Sequence, residues 1–221
     1  MISRAGHYEP IAREGYPFFV PLGILSLILW WFGWPWPSLF FLILSIAVAS
    51  FFRNPERTSP QGAGRVLSPA DGRVVQIAEN VRSDYLPNRV LTRISIFMSV
   101  FNVHVNRWPL SGLVKKITHV PGTFLDARMP AASVQNEHNS VVIESPDGTI
   151  EVVQIAGKIA RRIACWVSEG DEAFQGERFG LIRFGSRLDV YMPPEFTPEV
   201  VIGTKVRAGV TVIARRKDPP R

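Results

Sequence analysis

A glycine followed by a serine, Gly185-Ser186, stands late in the chain within Arg183-Phe184-Gly185-Ser186-Arg187-Leu188-Asp189-Val190-Tyr191. Between two β-type runs such a pair is ordinarily a turn. It is also what a self-cleaving peptide bond needs. Glycine leaves its carbonyl unshielded and tolerates strained backbone. The next serine can turn its hydroxyl back on that carbonyl, giving an ester by an N→O acyl shift. A base then removes the serine α-proton and eliminates the ester. The dehydroalanine left behind hydrolyses to a pyruvoyl group that caps the new chain.

Two further stretches could assist. Ser68-Pro69-Ala70-Asp71-Gly72-Arg73 reads as a Pro/Asp/Gly turn carrying one carboxylate. Phe101-Asn102-Val103-His104-Val105-Asn106-Arg107 puts a histidine in a β-type run, where histidines usually serve structure. Together Asp71, His104 and Ser186 supply an orienting carboxylate, a base near neutral pH and a nucleophile. Chain order places no limit on such a set. The residues alone leave two chemistries open: self-cleavage at Gly185-Ser186, or an intact Ser/His/Asp hydrolase.

The elements that must position these residues follow from the pattern around them. From about residue 68 onward, short β-rich runs alternate with turn signals. Examples are Arg73-Val74-Val75-Gln76-Ile77, Arg93-Ile94-Ser95-Ile96-Phe97-Met98 and Val141-Val142-Ile143-Glu144. Ser145-Pro146-Asp147-Gly148 predicts a hairpin turn. Lys205-Val206-Arg207-Ala208-Gly209-Val210-Thr211-Val212 has the strand–turn–strand look of biotinyl and lipoyl carriers but lacks their lysine motifs, so it marks β architecture. The expected fold is mainly β, a β-rich α+β arrangement: one compact domain of short strands, preceded by a helical membrane anchor.

The anchor is read from charge. Pro17 to Phe52 contains no charged residue, a run of 36. That exceeds the roughly 20 residues one helix needs to cross the hydrocarbon core. Trp31-Phe32-Gly33-Trp34-Pro35-Trp36-Pro37 breaks the run in the middle and favours the lipid–water interface. Two apolar helices are expected, about 18–32 and 38–52. Arg4 and Arg13 precede them, and Arg53 and Arg57 follow, so both ends are expected in the cytoplasm, at the inner face of the cell membrane. The expected divisions are an anchor over 1–53, a Pro/Gly linker over 54–67 and a catalytic domain over 68–221.

Net charge is +6. Three arginines against Glu9 and Glu14 give residues 1–53 about +1, leaving about +5 on the remainder, which suits an anionic lipid surface. No basic run interleaved with aromatics forms a nucleic-acid module. The single cysteine, Cys165, forms no internal disulfide or metal cluster and lies in an apolar run.

Ser68-Pro69-Ala70-Asp71-Gly72, Phe101 to Arg107 and Phe184-Gly185-Ser186-Arg187, in that order, resemble the phosphatidylserine decarboxylase family, in its short bacterial and archaeal branch. Phe51-Phe52-Arg53-Asn54-Pro55 and Val120-Pro121-Gly122 extend the likeness through most of 53–214. The resemblance implies a pyruvoyl-dependent carboxy-lyase of phospholipid biosynthesis. Its proenzyme would cut between Gly185 and Ser186 into a β chain, 1–185, and an α chain, 186–221, which stay together. Ser186 would become the pyruvoyl group, the sole cofactor, with no metal. That group would form a Schiff base with phosphatidylserine, release CO2 and yield phosphatidylethanolamine. His104, polarised by Asp71, would be the base for activation and then the proton donor. Archaetidylserine carries the same headgroup and is the rival substrate.

The chain also departs from the family. Better-known members carry Leu-Gly-Ser-Thr where this chain has Phe-Gly-Ser-Arg. Some have a second histidine where Phe101 stands, which leaves His138 as a substitute or as a structural residue; His7 and His119 read as structural or surface. Lys158 and Arg107 are the candidates for the substrate phosphate. Phe124-Leu125-Asp126-Ala127-Arg128-Met129-Pro130 mixes apolar and basic residues and is expected to touch the bilayer beside the site. A homodimer is compatible with the sequence.

Overall fold

The structure is a computed structural model and describes residues 7–60, 62–129, 131–158, 162–183 and 185–217. Of the residues singled out above, Arg4, Gln61 in the polar stretch, Pro130 and Phe184 lie outside these. The chain divides into two compact units, Met1–Glu56 and Arg57–Arg221.

In the first unit, helices α1 (Tyr16–Trp31) and α2 (Pro35–Phe51) pack against each other. The turn between them uses Gly33 at φ +76, a conformation that costs glycine nothing. Helix α2 begins earlier than the sequence suggests because Pro35 and Pro37 sit in its first turn, where a missing N–H leaves no bond unmade. The pair is inside-out by the standards of a water-soluble protein. Apart from Phe51 at the end of α2, its buried residues are serines: Ser26 and Ser38 each donate to the other's carbonyl at 2.8 Å, and Ser45 donates to Phe19 O at 2.8 Å. Outward stand Leu27, Trp30, Trp31, Phe40 and Ile46, all at least 60% exposed. Lipid favours this arrangement, with small polar residues at the helix contact and apolar side chains facing out. The run Arg13–Trp31 is long and apolar enough to cross a membrane.

The second unit is strand-rich. Its strands are β1 (Arg65–Leu67), β2 (Gly72–Val81), β3 (Leu91–Met98), β4 (Val105–Arg107), β5 (Gly112–Val120), β6 (His138–Ser145) and β7 (Gly148–Ile155). They continue as β8 (Ile163–Cys165), β9 (Glu172–Ala173), β10 (Arg178–Ile182), β11 (Ser186–Met192), β12 (Phe196–Pro198), β13 (Lys205–Val206) and β14 (Val212–Arg216). A short helix α3 (Ala132–Gln135) precedes β6. One antiparallel sheet runs β13-β2-β3-β11-β7-β6-β5-β9, and two three-stranded sheets run β1-β14-β12 and β4-β10-β8. The β6–β7 hairpin closes on Ser145 opposite Gly148, around Pro146-Asp147.

Strand alternation sorts the large sheet into two faces. Ile94 and Ile96 of β3, Leu188 and Val190 of β11, Val152 of β7 and Val141 of β6 enter one apolar core. The other face carries Arg187, Asp189, Glu151 and Ser140, yet these are also buried. Segments around 83–86 and 125–135 cover them, with Ser83 bonded to Glu151 and Ser133 to Arg187. The central strands are therefore buried on both faces.

The stretch 54–67 is not a uniform linker. The division into units falls after Glu56, and β1 already lies within it. Its Pro/Gly composition conceals that Arg57 is a buried side chain of the second unit.

Candidate active site

The three motifs converge on one end of β3. Phe97 has two register partners, Arg73 on β2 and Arg187 on β11. Asp71, just ahead of β2, and Ser186, the first residue of β11, therefore flank the end of β3 on opposite sides. The chain leaving β3 after Met98 turns through 99–103 and presents His104. Gly72 permits this closeness: a Cβ there would lie 2.1 Å from the Phe97 carbonyl oxygen.

Ser186 is fully buried opposite Met98, and its hydroxyl donates to Met98 Sδ at 3.6 Å. Gly185 before it has φ +61, which residues with a side chain resist. Its carbonyl oxygen lies against Gly157, where an added Cβ would stand only 1.7 Å away. One glycine is demanded by its dihedral and the other by contact.

His104 is fully buried, with Nδ1 3.0 Å from the Asn102 carbonyl. A carbonyl only accepts, so Nδ1 carries a proton, and Nε2 is the ring atom left to exchange one. The turn is held by Asn102 Oδ1, which accepts from the Ser99 N–H at 2.9 Å and the Ser99 hydroxyl at 2.8 Å. The acceptor orienting Nδ1 is thus a backbone carbonyl. The Asp71 carboxylate accepts both arms of the Arg57 guanidinium, at 2.5 and 2.9 Å, and the Ala208 N–H at 2.8 Å. Arg57 also donates to the Ala208 carbonyl at 2.8 Å. This ties the turn before β2 to the segment ahead of β14.

Behind Ser186 runs a string of buried amides. Asn139 Nδ2 donates to Gln154 Oε1 at 3.1 Å, and Gln154 Nε2 donates to Asn106 Oδ1 at 2.8 Å. That leaves Asn106 Nδ2 facing Met98 Sδ at 3.9 Å, the sulfur that also receives the Ser186 hydroxyl. Sequence reasoning passed over Gln154 and Asn139, because a lone amide in a strand reads as facing solvent. The sequence carries no signal for Gly157, and it marks Arg57 only as a cation that follows the anchor.

The other candidates separate. Arg107 is 3% exposed and donates to the Gly176 carbonyl at 2.8 Å, so its guanidinium serves the interior and does not fit a headgroup ligand. Lys158 is exposed and directly follows Gly157. Near it, the Arg128 side chain and backbone N–H hold the Asp126 carboxyl down to about 2, with a smaller contribution from Lys158. His138 lies on the sheet face opposite Ser186, held by the Asn136 carbonyl at 2.8 Å and the Tyr85 hydroxyl at 2.9 Å. That is a structural setting, and it does not replace the histidine that Phe101 displaces. Phe101 is 84% exposed at the tip of the turn before His104. His119 faces solvent 3.8 Å from Glu137. Among the described residues, no group of three His, Cys, Asp or Glu could hold a metal ion.

The sequence profile described as phosphatidylserine decarboxylase matches residues 44–214. The chain belongs to the phosphatidylserine decarboxylase family. A phosphatidylserine decarboxylase proenzyme of Syntrophus aciditrophicus (strain SB) is 48% identical over 205 residues, which is 92% of this chain and 96% of that protein. The span matched to the decarboxylase family contains Asp71, His104, Gly185 and Ser186, and every strand of the second unit except the last two residues of β14.

Proposed function

We propose that this chain cuts itself between Gly185 and Ser186 and then decarboxylates phosphatidylserine with a pyruvoyl group made from Ser186. One observation carries the reading: a Gly-Ser bond with a left-handed glycine, its carbonyl packed on Gly157, lies at the β3 end that also receives His104. The proenzyme name of the relative from Syntrophus aciditrophicus supports the self-cutting step.

His104 Nε2 takes the Ser186 hydroxyl proton, and Oγ bonds to the Gly185 carbonyl carbon. The C–N bond breaks, and the proton passes to the departing nitrogen. Removal of the Ser186 α-proton then breaks the Cβ–Oγ bond and frees Gly185 as a carboxylate. Water adds to the remaining enamine, ammonia leaves, and a ketone caps residues 186–221. The surroundings fit this product, since Met98 is a soft apolar neighbour for a methyl group as well as a weak acceptor for a hydroxyl.

The pyruvoyl group supplies an electrophilic carbonyl that takes the substrate amine and accepts the electrons released as CO2 departs. The chain provides positioning. The apolar surroundings of the buried Ser186 disfavour the substrate carboxylate. His104 returns a proton to the substrate α-carbon, and Lys158 meets the phosphate. Phosphatidylethanolamine leaves. The apolar helix pair tethers the enzyme to the inner membrane, with the β unit on the cytoplasmic side by the positions of Arg13 and Arg53.

The test is mass spectrometry of the purified membrane protein beside Ser186→Ala. Two fragments meeting at Gly185/Ser186, the smaller capped by pyruvoyl, with none from the variant, is the expected result. An intact wild-type chain that is folded and lipid-bound would overturn the reading.

A further inference from the structure

We infer that Arg187 is a positioning residue that clamps the newly cut end of β11 onto the segment 127–133. The inference rests on the cleavage reading above. Cutting before Ser186 turns a mid-chain residue into a terminus, and termini open locally at almost no free-energy cost. The reacting group would sit on that terminus. Ser186 itself has a register partner on β3, Met98, while pairing with β7 starts only at Arg187.

Arg187 is 1% exposed and lies on the sheet face opposite the core. Its Nη1 donates to the Ala127 carbonyl at 3.1 Å and the Met129 carbonyl at 3.3 Å. Its Nη2 donates to the Ser133 hydroxyl and to Asp189 at 2.9 Å, and Nε lies 2.9 Å from the second Asp189 oxygen. Two carbonyls and a hydroxyl thus come from one segment, which lies between β5 and β6 in the other product chain. A second tie holds that segment to the same end of β3: the Arg128 guanidinium stacks over the Phe97 ring at 5.7 Å.

A buried ion pair by itself argues little for stability. The planar fork adds direction. Asp189, on the same strand, neutralises the charge and fixes the fork, which leaves the remaining N–H groups aimed at 127–133. The residue next to the reacting one is thereby held from both product chains. The same clamp joins the reacting end to a segment that exposes Met129 and, in α3, Val134 at 81%.

Arg187→Lys in the full chain tests this, since lysine keeps a charge beside Asp189 but loses the fork. Cleavage should persist by mass spectrometry. Amide hydrogen exchange should quicken by about tenfold or more at 127–135 and at 187–188, with Val141–Ile143 unchanged. On phosphatidylserine vesicles, kcat should fall about tenfold with KM within about threefold. In an uncut Ser186→Ala background, Arg187→Lys should quicken exchange at 127–135 but not at 187–188, because no terminus exists there. Ser133→Ala, which leaves the ion pair intact, should show a weaker version of the same pattern if the lysine variant fails to fold. Exchange that stays at wild type, or rises evenly over the sheet, overturns the clamp, as does a wild-type kcat. A wild-type chain that never cuts overturns the cleavage reading instead, and the exchange at 127–135 still decides whether the clamp exists.

Discussion

Gly157 and Gly185 face each other with no room for a methyl group between them. Gly157→Ala must therefore push the Gly185 carbonyl away or shift its own backbone. A misplacement near 1 Å can cost on the order of a hundredfold in rate when geometry carries the chemistry. We expect Gly157→Ala to fold and to cut itself at least about tenfold more slowly, followed as the appearance of two fragments on a denaturing gel. Cutting at the wild-type rate would show that this contact does not hold the bond to be broken.

Arg57 and Asp71 form a buried pair, their side chains 4% and 12% exposed. Removing one partner strands the other, at a cost of about 3–5 kcal/mol. Arg57→Met should lower the free energy of unfolding, read by denaturant titration, by that amount, and adding Asp71→Asn should restore part of it, giving a coupled cycle. Single and double losses that simply add would mean the pair is solvated.

Much of this was legible in the sequence, and the reasons are local. The uncharged run from Pro17 to Phe52 has a length and composition that admit few structures, and Pro35, Pro37 and Gly33 mark where it turns. The β character follows from branched runs and from turns such as Pro146-Asp147. The cluster of Asp71, His104 and Ser186 at one end of β3 was a matter of motif order plus resemblance, because no spacing rule puts residues 71, 104 and 186 together. What stayed hidden depends on register. Arg187, Asp189 and Glu151 alternate with Leu188, Val190 and Val152, which ordinarily means a solvated face. Here loops cover that face, so polar side chains in the pattern are buried and bonded. Gly157 matters through a contact made only in the folded chain.

Glu151 should make stability depend on pH. Burial pushes its carboxyl above the ordinary 4.5, against the opposing bonds from Ser83 and Ser140, with Asp189 and Asp84 adding to the rise. The folded chain then holds a proton that the unfolded chain has released. Stability contributed by the protonated form is fully present below about pH 4.5 and is lost as pH rises through the higher folded value. Glu151→Gln keeps the shape without the charge. It should melt higher than wild type at about pH 8 and no higher at about pH 4, read by thermal unfolding of the detergent-solubilised enzyme. A difference between the two proteins that does not change with pH would place the charge of Glu151 in solvent.

The segment 124–129 offers the last prediction. Met129 is 50% exposed, Val134 in α3 is 81% exposed, and Arg128 lies beside them, a pairing of apolar and basic groups suited to an anionic bilayer. Leu125 is half-buried, its backbone held on both sides by the Asn136 amide at 2.9 Å, so the segment is braced from within and not loose. A braced apolar rim close to Arg187, and thus to Ser186, would let a lipid headgroup reach the site while its tails stay in the membrane. Met129→Asp with Val134→Asp should therefore lower kcat/KM on phosphatidylserine vesicles by about tenfold or more, since each charge opposes contact with anionic lipid. On a soluble short-chain substrate the same protein should stay within about twofold, because nothing there requires a surface. Leu125→Asp adds a charge against a packed position and should instead depress both activities together. Equal losses on vesicles and on soluble substrate for the Met129/Val134 pair would remove the segment from membrane contact.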